Sequence, residues 1–159
     1  MTIDLLGVDV GGVLIDRITA DGSDTSFFSD RFLETSAVEG AFDTLERLSR
    51  ERFGQRICIV SKCGPRTEQK TRLWLVHHGL LERLGLSAEN VHFCRERRDK
   101  APICKRLGVS HFIDDRADVL SYLASVPNRF LFGPQKRHVD LRGLTATPTW
   151  ADVGAVLLP

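Results

Sequence analysis

Residues 3–14 read IDLLGVDVGGVL, a largely apolar run that contains Asp9 and, two residues after it, a pair of consecutive glycines. Aliphatic and β-branched residues in near-continuous succession are typical of a central parallel strand that helices cover on both faces. We therefore predict a strand over residues 3–9 that delivers Asp9 to a turn at Gly11 and Gly12. Glycines at such a turn leave the backbone bare, so an anionic ligand or a metal ion can approach the main chain closely.

Two later apolar runs also end in polar side chains. The run RICIVS ends in Ser61, and the run HFIDD ends in Asp114 and Asp115. Between them, Lys100 stands just before an Ala-Pro pair, where proline suits the first turn of a helix. These segments fit the same site as Asp9.

The order Asp9, Ser61, Lys100, Asp114-Asp115 resembles the four-motif signature of the haloacid dehalogenase-like (HAD) superfamily, and the match covers nearly the whole chain. The resemblance implies that Asp9 is a nucleophile and that Ser61 and Lys100 hold a transferring phosphoryl group. It also implies that Asp114 and Asp115 hold Mg²⁺, with Asp114 as the more direct ligand.

The same resemblance adds backbone and flanking groups to the predicted site. The main-chain carbonyl of residue 11 binds metal in this family, so Gly11 joins Asp9 among the predicted metal ligands. Gly11, Gly12 and Lys62 are predicted to contact the phosphoryl group together with Ser61 and Lys100. Mg²⁺ suits such a site because it is a hard ion that prefers oxygen ligands.

One departure from the family pattern concerns catalysis. Phosphatases of the family read D-x-D at the first motif, whereas this chain has Gly11 at the second position. In those enzymes the second Asp protonates the leaving oxygen and then deprotonates the attacking water. General acid–base catalysis is worth about 10²–10⁴ in rate, so an ordinary alkyl phosphate is expected to be a poor substrate.

Three interpretations follow from this departure. The first is a phosphohydrolase whose substrate has a good leaving group, such as an acyl phosphate or a phosphoanhydride, or whose acid comes from the segment after the first strand, where Asp16, Asp21 and Asp24 are candidates. The second is a catalytically impaired protein that binds a phosphorylated ligand or partner. The third is a nucleic-acid 3′-end phosphatase.

The third interpretation depends on a local basic cluster, RERR at residues 95–98 with Lys105 and Arg106 beyond it. Aromatic residues do not alternate with these cations, as base stacking would require, so nucleic acid is the less favoured partner. A phosphorylated small molecule, or the exposed phosphorylated end of a larger one, is preferred. An open site also suits a homo-oligomer in which a neighbour acts as a lid.

The alternation of apolar runs and amphipathic segments predicts an α/β fold, a doubly wound and mainly parallel five-stranded sheet in three layers. The predicted strands cover residues 3–9, 56–61, 91–94, 109–114 and 129–132. We expect a single domain over residues 1–159 with a flap at about residues 15–30. The intervals between the motifs leave no room for a separate cap domain.

Composition sets broad limits on the class of protein. A hydrophobic content of 42%, a charged content of 27% and a net charge of +1 describe an ordinary globular chain and name no partner. No run approaches the ~18 apolar residues of a membrane span, and no basic leader precedes the first strand. The four cysteines form no C-x-x-C pair, so we expect reduced thiols and a cytoplasmic protein.

Overall fold

The computed structural model describes residues 3–17 and 26–159. Strands and helices alternate along these parts of the chain, as the sequence predicts. The strands are β1 (Leu6–Val8), β2 (Ile57–Lys62), β3 (Val91–Cys94), β4 (His111–Asp114), β5 (Asn128–Phe132) and β6 (Thr145–Thr147). The helices are α1 (Ala41–Leu48), α2 (Pro65–His77), α3 (Leu80–Leu84), α4 (Lys100–Leu107), α5 (Ala117–Tyr122) and α6 (Trp150–Leu157).

All strand pairs of the sheet are parallel, and the strand order is β3-β2-β1-β4-β5-β6. The chain therefore builds one half of the sheet outward from β1 and then returns to start the other half at β4. Ligands of such open sheets bind at this switch point, outside the carboxyl ends of the two central strands. Here the switch point lies between β1 and β4.

The doubly wound fold is confirmed, but the sheet has six strands where the sequence analysis predicted five. The additional strand β6 pairs with β5, with Leu131 opposite Ala146. Its three residues, TAT, carry no apolar run, which is why hydrophobicity did not mark it. Thr147 is buried and its hydroxyl donates to the Leu131 carbonyl.

Two apolar layers enclose the sheet because successive strand residues point to opposite faces. Ile57 and Ile59 of β2 belong to one core, which also contains the buried side chains of α1, α2, α3 and α6. Cys58 and Val60 belong to the other core, under α4 and α5. This three-layer arrangement fixes the ends of β1 and β4, and so it positions the polar residues that follow them.

The segment after β1 folds into a compact turn. The Val10 carbonyl accepts hydrogen bonds from the amides of Val13, Leu14 and Ile15, at 2.8–3.1 Å. Gly12 adopts a φ of 80°, a left-handed conformation that suits glycine. On the far side, the indole of Trp150 donates a buried 2.8 Å hydrogen bond to the Val13 carbonyl, so α6 holds the turn in place.

Part of the predicted flap at residues 15–30 lies outside the described residues, including Asp21 and Asp24. Within the described part, Ile15 forms bridges to Gly11 and Ala37. A short 3₁₀ helix, Ser26–Phe28, then leads toward α1. None of the helices in the described ranges is both long enough and apolar enough to cross a membrane.

Candidate active site

A buried ion cluster lies at the switch point of the sheet. Asp9 follows β1, Asp114 ends β4, and Lys100 is the first residue of α4. Lys100 Nζ donates to Asp9 Oδ1 at 2.8 Å and to Asp114 Oδ2 at 2.9 Å. The residues Lys100 and Asp114 are 2% and 0% exposed, so water screens this cluster little. The structure thus brings together three of the residues that the sequence predicted for the site.

Asp115 completes a group of three carboxylates. One oxygen each of Asp9, Asp114 and Asp115 lie within 4.8 Å of one another. Both oxygens of Asp114 already have donors, because Oδ1 accepts from the Arg116 amide at 2.9 Å and Oδ2 accepts from Lys100. Asp115 Oδ1, in contrast, is buried without a hydrogen-bond partner in the described structure.

One ammonium group cannot neutralise three carboxylates. Burial alone would lower the pKa of Lys100, but the charges of Asp9 and Asp114 outweigh it and raise that pKa above its ordinary value. Burial, together with the charge of Asp9, raises the pKa values of Asp114 and Asp115. The charge of Arg17 opposes this rise at Asp115, so two cations face three carboxylates and the cluster keeps an excess of negative charge.

A divalent cation fits this deficit. The carboxylates of Asp9 and Asp114, which are buried, and of Asp115, which is half-buried, form an all-oxygen donor set of the kind that Mg²⁺ prefers. The unpartnered oxygen of Asp115 gives such an ion a ligand that no protein donor occupies. The sequence analysis had ranked Asp114 as the more direct ligand, whereas the hydrogen bonds leave Asp115 with the more available oxygen.

Gly11 and Gly12 form a groove that the side chain of Arg17 fills. A Cβ atom added at Gly11 would lie 2.7 Å from Arg17 Nε and 2.9 Å from Arg17 Cζ. A Cβ at Gly12 would lie 2.5 Å from Asp115 Oδ2 and 3.8 Å from Arg17 Cδ. The guanidinium group thus stands where a side chain at position 11 would begin. Sequence reasoning missed Arg17 because nothing in the motif spacing points to it.

A cleft of about 1130 Å³ opens beside this groove. Gly12, Arg17 and Asp115 line it, and so do the cationic residues Lys136 and Arg137. Apolar side chains that include Phe132 and Pro134 form part of its wall. The volume is large enough for a substrate of the size of a sugar phosphate or a nucleotide. Asp16, a candidate acid from the sequence, also lines the cleft.

Ser61 and Lys62 diverge at the end of β2. Ser61 is buried at the carboxyl edge of the sheet, and its side chain hydrogen-bonds Cys63. Lys62 is exposed and lines a separate cleft that also contains Arg95 and Arg98. Val8 is the register partner of Ile59, so strand alternation places Ser61 on the face of Val8. The cleft that Lys62 lines contains none of the three clustered carboxylates, so the structure does not bring Lys62 to them.

The basic cluster at residues 95–98 is largely neutralised by acids. Arg95 lies 3.0 Å from Glu68, and Arg98 lies 2.8 Å from Glu96. Arg97 is 3.9 Å from Asp118. Paired arginines present less net charge to a phosphate backbone than the sequence alone indicates.

The four cysteines are free and buried, as expected of structural thiols. Burial raises the pKa of Cys58 and of Cys104 to about 12, so neither is a ready nucleophile. His111 lies at the opposite end of β4 from Asp114, where its ring contacts Ser110 and Arg52. That placement keeps His111 away from the carboxylates.

Comparison with solved structures gives similar folds over nearly the full length. A dehalogenase covers 99% of this chain and 98% of its own, with a TM-score of 0.67 and 16% identity. The D,D-heptose 1,7-bisphosphate phosphatase of Burkholderia thailandensis covers 98% of both chains, with a TM-score of 0.61 and 14% identity. A HAD family hydrolase of Deinococcus radiodurans R1, solved with bound phosphate and sodium, covers 98% of this chain and 95% of its own, with a TM-score of 0.59 and 16% identity.

The chain has the fold of the HAD-like hydrolases. No protein-family model matches the sequence, and neither does any curated protein sequence. At 14–16% identity the likeness concerns the fold, so an activity for this chain has to be argued from its own residues.

Proposed function

We propose that this chain is a magnesium-dependent phosphohydrolase that acts through an aspartyl-phosphate on Asp9. The observation that carries the proposal is the buried cluster at the switch point, where Lys100 holds Asp9 and three carboxylates crowd together with one unpartnered oxygen. The phosphatases with similar folds lend support. So does the coverage of about 98% of both chains, which favours a single domain without a separate cap.

The residues would divide the work as follows. Asp9 attacks phosphorus with a carboxylate oxygen, and Lys100 orients that carboxylate through its 2.8 Å hydrogen bond. Ser61 and the bare backbone at Gly11 and Gly12 would receive the phosphoryl oxygens. Mg²⁺, held by Asp9, Asp115, Asp114 and the carbonyl of Gly11, would neutralise charge between the nucleophile and the phosphoryl group.

A phosphoryl-binding protein without turnover is the second candidate. It is favoured by Gly11, because the position that carries an acid in the resembled phosphatases has no side chain and is covered by Arg17. Such a protein would keep the carboxylate cluster and the cleft, and it would bind a phosphorylated ligand or partner.

One experiment tests both candidates. Phosphate release by the wild type is measured with and without Mg²⁺ on acyl phosphates, nucleotides, sugar phosphates and 3′-phosphorylated oligonucleotides, with Asp9→Asn as the matched control. We expect Mg²⁺-dependent release that disappears in Asp9→Asn. Full turnover in Asp9→Asn would contradict the proposed nucleophile, and no release despite measurable Mg²⁺ binding would favour the second candidate.

A further inference from the structure

Arg17 is a cation that lies against the glycine turn after β1. Its side chain runs over both glycines, because a Cβ at Gly12 would contact Arg17 Cδ and a Cβ at Gly11 would overlap the guanidinium group. The same side chain lines the 1130 Å³ cleft together with Asp115. Arg17 thus contacts the turn beside the carboxylate cluster and also lines the cleft in which the rest of a substrate would lie.

The chemistry of arginine decides what this position can do. A guanidinium group carries a permanent charge and donates hydrogen bonds in a fixed fork, but it does not give up a proton near neutral pH. It can therefore stabilise an oxygen that departs as an anion, and it cannot act as a general acid. A group fixed in advance where charge develops in a transition state needs little reorganisation.

We propose that Arg17 binds the leaving oxygen of the substrate, and that the substrate is a phosphoanhydride or an acyl phosphate, whose leaving group departs as a phosphate or carboxylate anion. The juxtaposition of Arg17 with Gly11, Gly12 and Asp115, three of which (Gly12, Arg17 and Asp115) line the cleft, carries this inference. It rests on the proposed function of Asp9.

The two steps balance without an acid at position 11. In the first, an Asp9 carboxylate oxygen forms a bond to phosphorus while the bond from phosphorus to the leaving oxygen breaks. The electron pair stays on that oxygen, which leaves as an anion paired with Arg17. In the second, water attacks phosphorus, the bond to Asp9 breaks to restore its carboxylate, and the two protons of the water end on inorganic phosphate. Because phosphorylated Asp9 is itself an acyl phosphate, this second step also releases a carboxylate.

The wall of the cleft sets the size of the leaving group. The lining of the cleft includes Arg17, the apolar residues Phe132 and Pro134, and the cations Lys136 and Arg137. A nucleoside phosphate or a phosphorylated sugar acid would place its anionic oxygen on Arg17 and its body against this wall. Acetyl phosphate and pyrophosphate contain the same leaving oxygen without the body, so they separate recognition of the anion from recognition of the rest.

The first test measures kcat/KM with acetyl phosphate, pyrophosphate, ADP and a series of aryl and alkyl phosphates of increasing leaving-group pKa. The variants are Arg17→Met, Arg17→Lys and, as a matched control, Arg142→Met, whose side chain is 91% exposed outside the cleft. We expect a steep dependence of the wild-type rate on leaving-group pKa. Arg17→Met should lose about 10²–10³-fold on the anhydrides, Arg17→Lys should lose less, and Arg142→Met should match the wild type.

Several results would overturn the proposal. Equal rates in Arg17→Met and wild type would do so while leaving Asp9 as the nucleophile. A shallow dependence of the rate on leaving-group pKa would show that an acid protonates the leaving oxygen. If the dependence became steep in Asp16→Asn, Asp16 would be that acid. A preference for acetyl phosphate over pyrophosphate and ADP, or the reverse, distinguishes the two substrate chemistries, and either one supports the assignment of Arg17.

A binding measurement separates this inference from the proposed function. Calorimetric titration with methylenediphosphonate, a non-hydrolysable diphosphate, and with orthophosphate is done at fixed free Mg²⁺ on the same variants. We expect wild type to bind methylenediphosphonate more tightly than orthophosphate and Arg17→Met to lose that preference. If the protein turns over no substrate, this result still supports the role of Arg17, and an unchanged preference in Arg17→Met overturns it.

Discussion

Replacing Lys100 with methionine removes the cation that holds two buried carboxylates together. Methionine is of similar length, so the main change is the loss of the ammonium group, which lies 2.8 Å from Asp9 and 2.9 Å from Asp114. Breaking a buried ion pair by removing one partner costs about 3–5 kcal/mol, because the other charge stays buried without compensation. We expect the free energy of unfolding, measured by urea denaturation without Mg²⁺, to fall by about that amount at pH 7.

The sign of the pH dependence follows from Asp114. Burial and the charge of Asp9 raise its pKa, and Lys100 opposes that rise, so the pKa should rise further in the variant. A carboxyl whose pKa is higher in the folded than in the unfolded state destabilises the fold increasingly as pH rises. The cost of Lys100→Met should therefore be larger at pH 8 than at pH 5.5.

A double-mutant cycle controls for packing. Asp114→Asn removes one of the carboxylates, and in that background Lys100→Met should cost less, with a coupling within about 0.5–3 kcal/mol. A loss below about 1 kcal/mol for Lys100→Met in the wild-type background, with no coupling to Asp114, would refute the reasoning that this lysine compensates buried charge.

Three further predictions concern the turn, the metal and the opposite end of the sheet. Gly11→Asp alone should raise the rate of alkyl-phosphate hydrolysis little, because the new carboxylate would pair with Arg17 and its pKa would fall. The double variant Gly11→Asp with Arg17→Met should hydrolyse alkyl phosphates about 10²–10⁴-fold faster. Equal gains in the single and double variants, measured by phosphate release, would contradict this prediction. Asp115→Asn should raise the Tm measured without Mg²⁺, since it relieves repulsion among three carboxylates. It should also abolish the Mg²⁺-induced rise in Tm, which corresponds in wild type to about 2.7 kcal/mol at an ion concentration 100 times Kd. An unchanged response of the Tm to Mg²⁺ would show that Asp115 is not a ligand. Burial and a neighbouring arginine lower the pKa of His111. Its contribution to stability is therefore complete above about pH 6.5, the usual pKa of an unfolded histidine, and is lost as the pH falls toward the lower pKa of the folded state. His111→Gln should reduce the change in Tm between pH 5 and pH 7, whereas substitution of the exposed His77 by Gln should not.

The sequence predicted the parts of the site that depend on strand ends. Asp9, Ser61 and Asp114 each follow an apolar run, and the carboxyl ends of parallel strands meet at one edge of the sheet. Lys100 was predictable because a helix that starts beside that edge points its first residues toward it. Asp9, Lys100 and Asp114 are placed by the sheet and α4 together, so the pattern of elements was enough to bring these three close.

The residues that the sequence did not predict depend on the geometry of single turns. Arg17 reaches Gly11 because the hydrogen bonds to the Val10 carbonyl turn residues 10–15 back on themselves. No periodic pattern in the sequence predicts that contact. Lys62 was grouped with Ser61 by proximity in sequence, although strand alternation places the two side chains on opposite faces. Strand β6 has too few apolar residues for a hydrophobic pattern to predict it, because what defines it is its pairing with β5.

The availability of Asp115 could also not be read from the pair of adjacent carboxylates. Which one keeps a free oxygen depends on the hydrogen bond from the Arg116 amide and on the reach of Lys100, both of which occupy Asp114. Two adjacent aspartates look equivalent in the sequence, and only the folded structure shows which of them accepts these hydrogen bonds.

The most direct test of the account is to trap the phosphoryl group on the protein. Wild type and Asp9→Asn are mixed with radiolabelled acetyl phosphate and Mg²⁺, quenched in acid within a single turnover, and analysed by peptide mass spectrometry. We predict one hydroxylamine-labile phosphoryl group on Asp9 in wild type and none in Asp9→Asn. Phosphate release without any label on Asp9, and at the same rate in Asp9→Asn, would contradict the claim that Asp9 is the nucleophile.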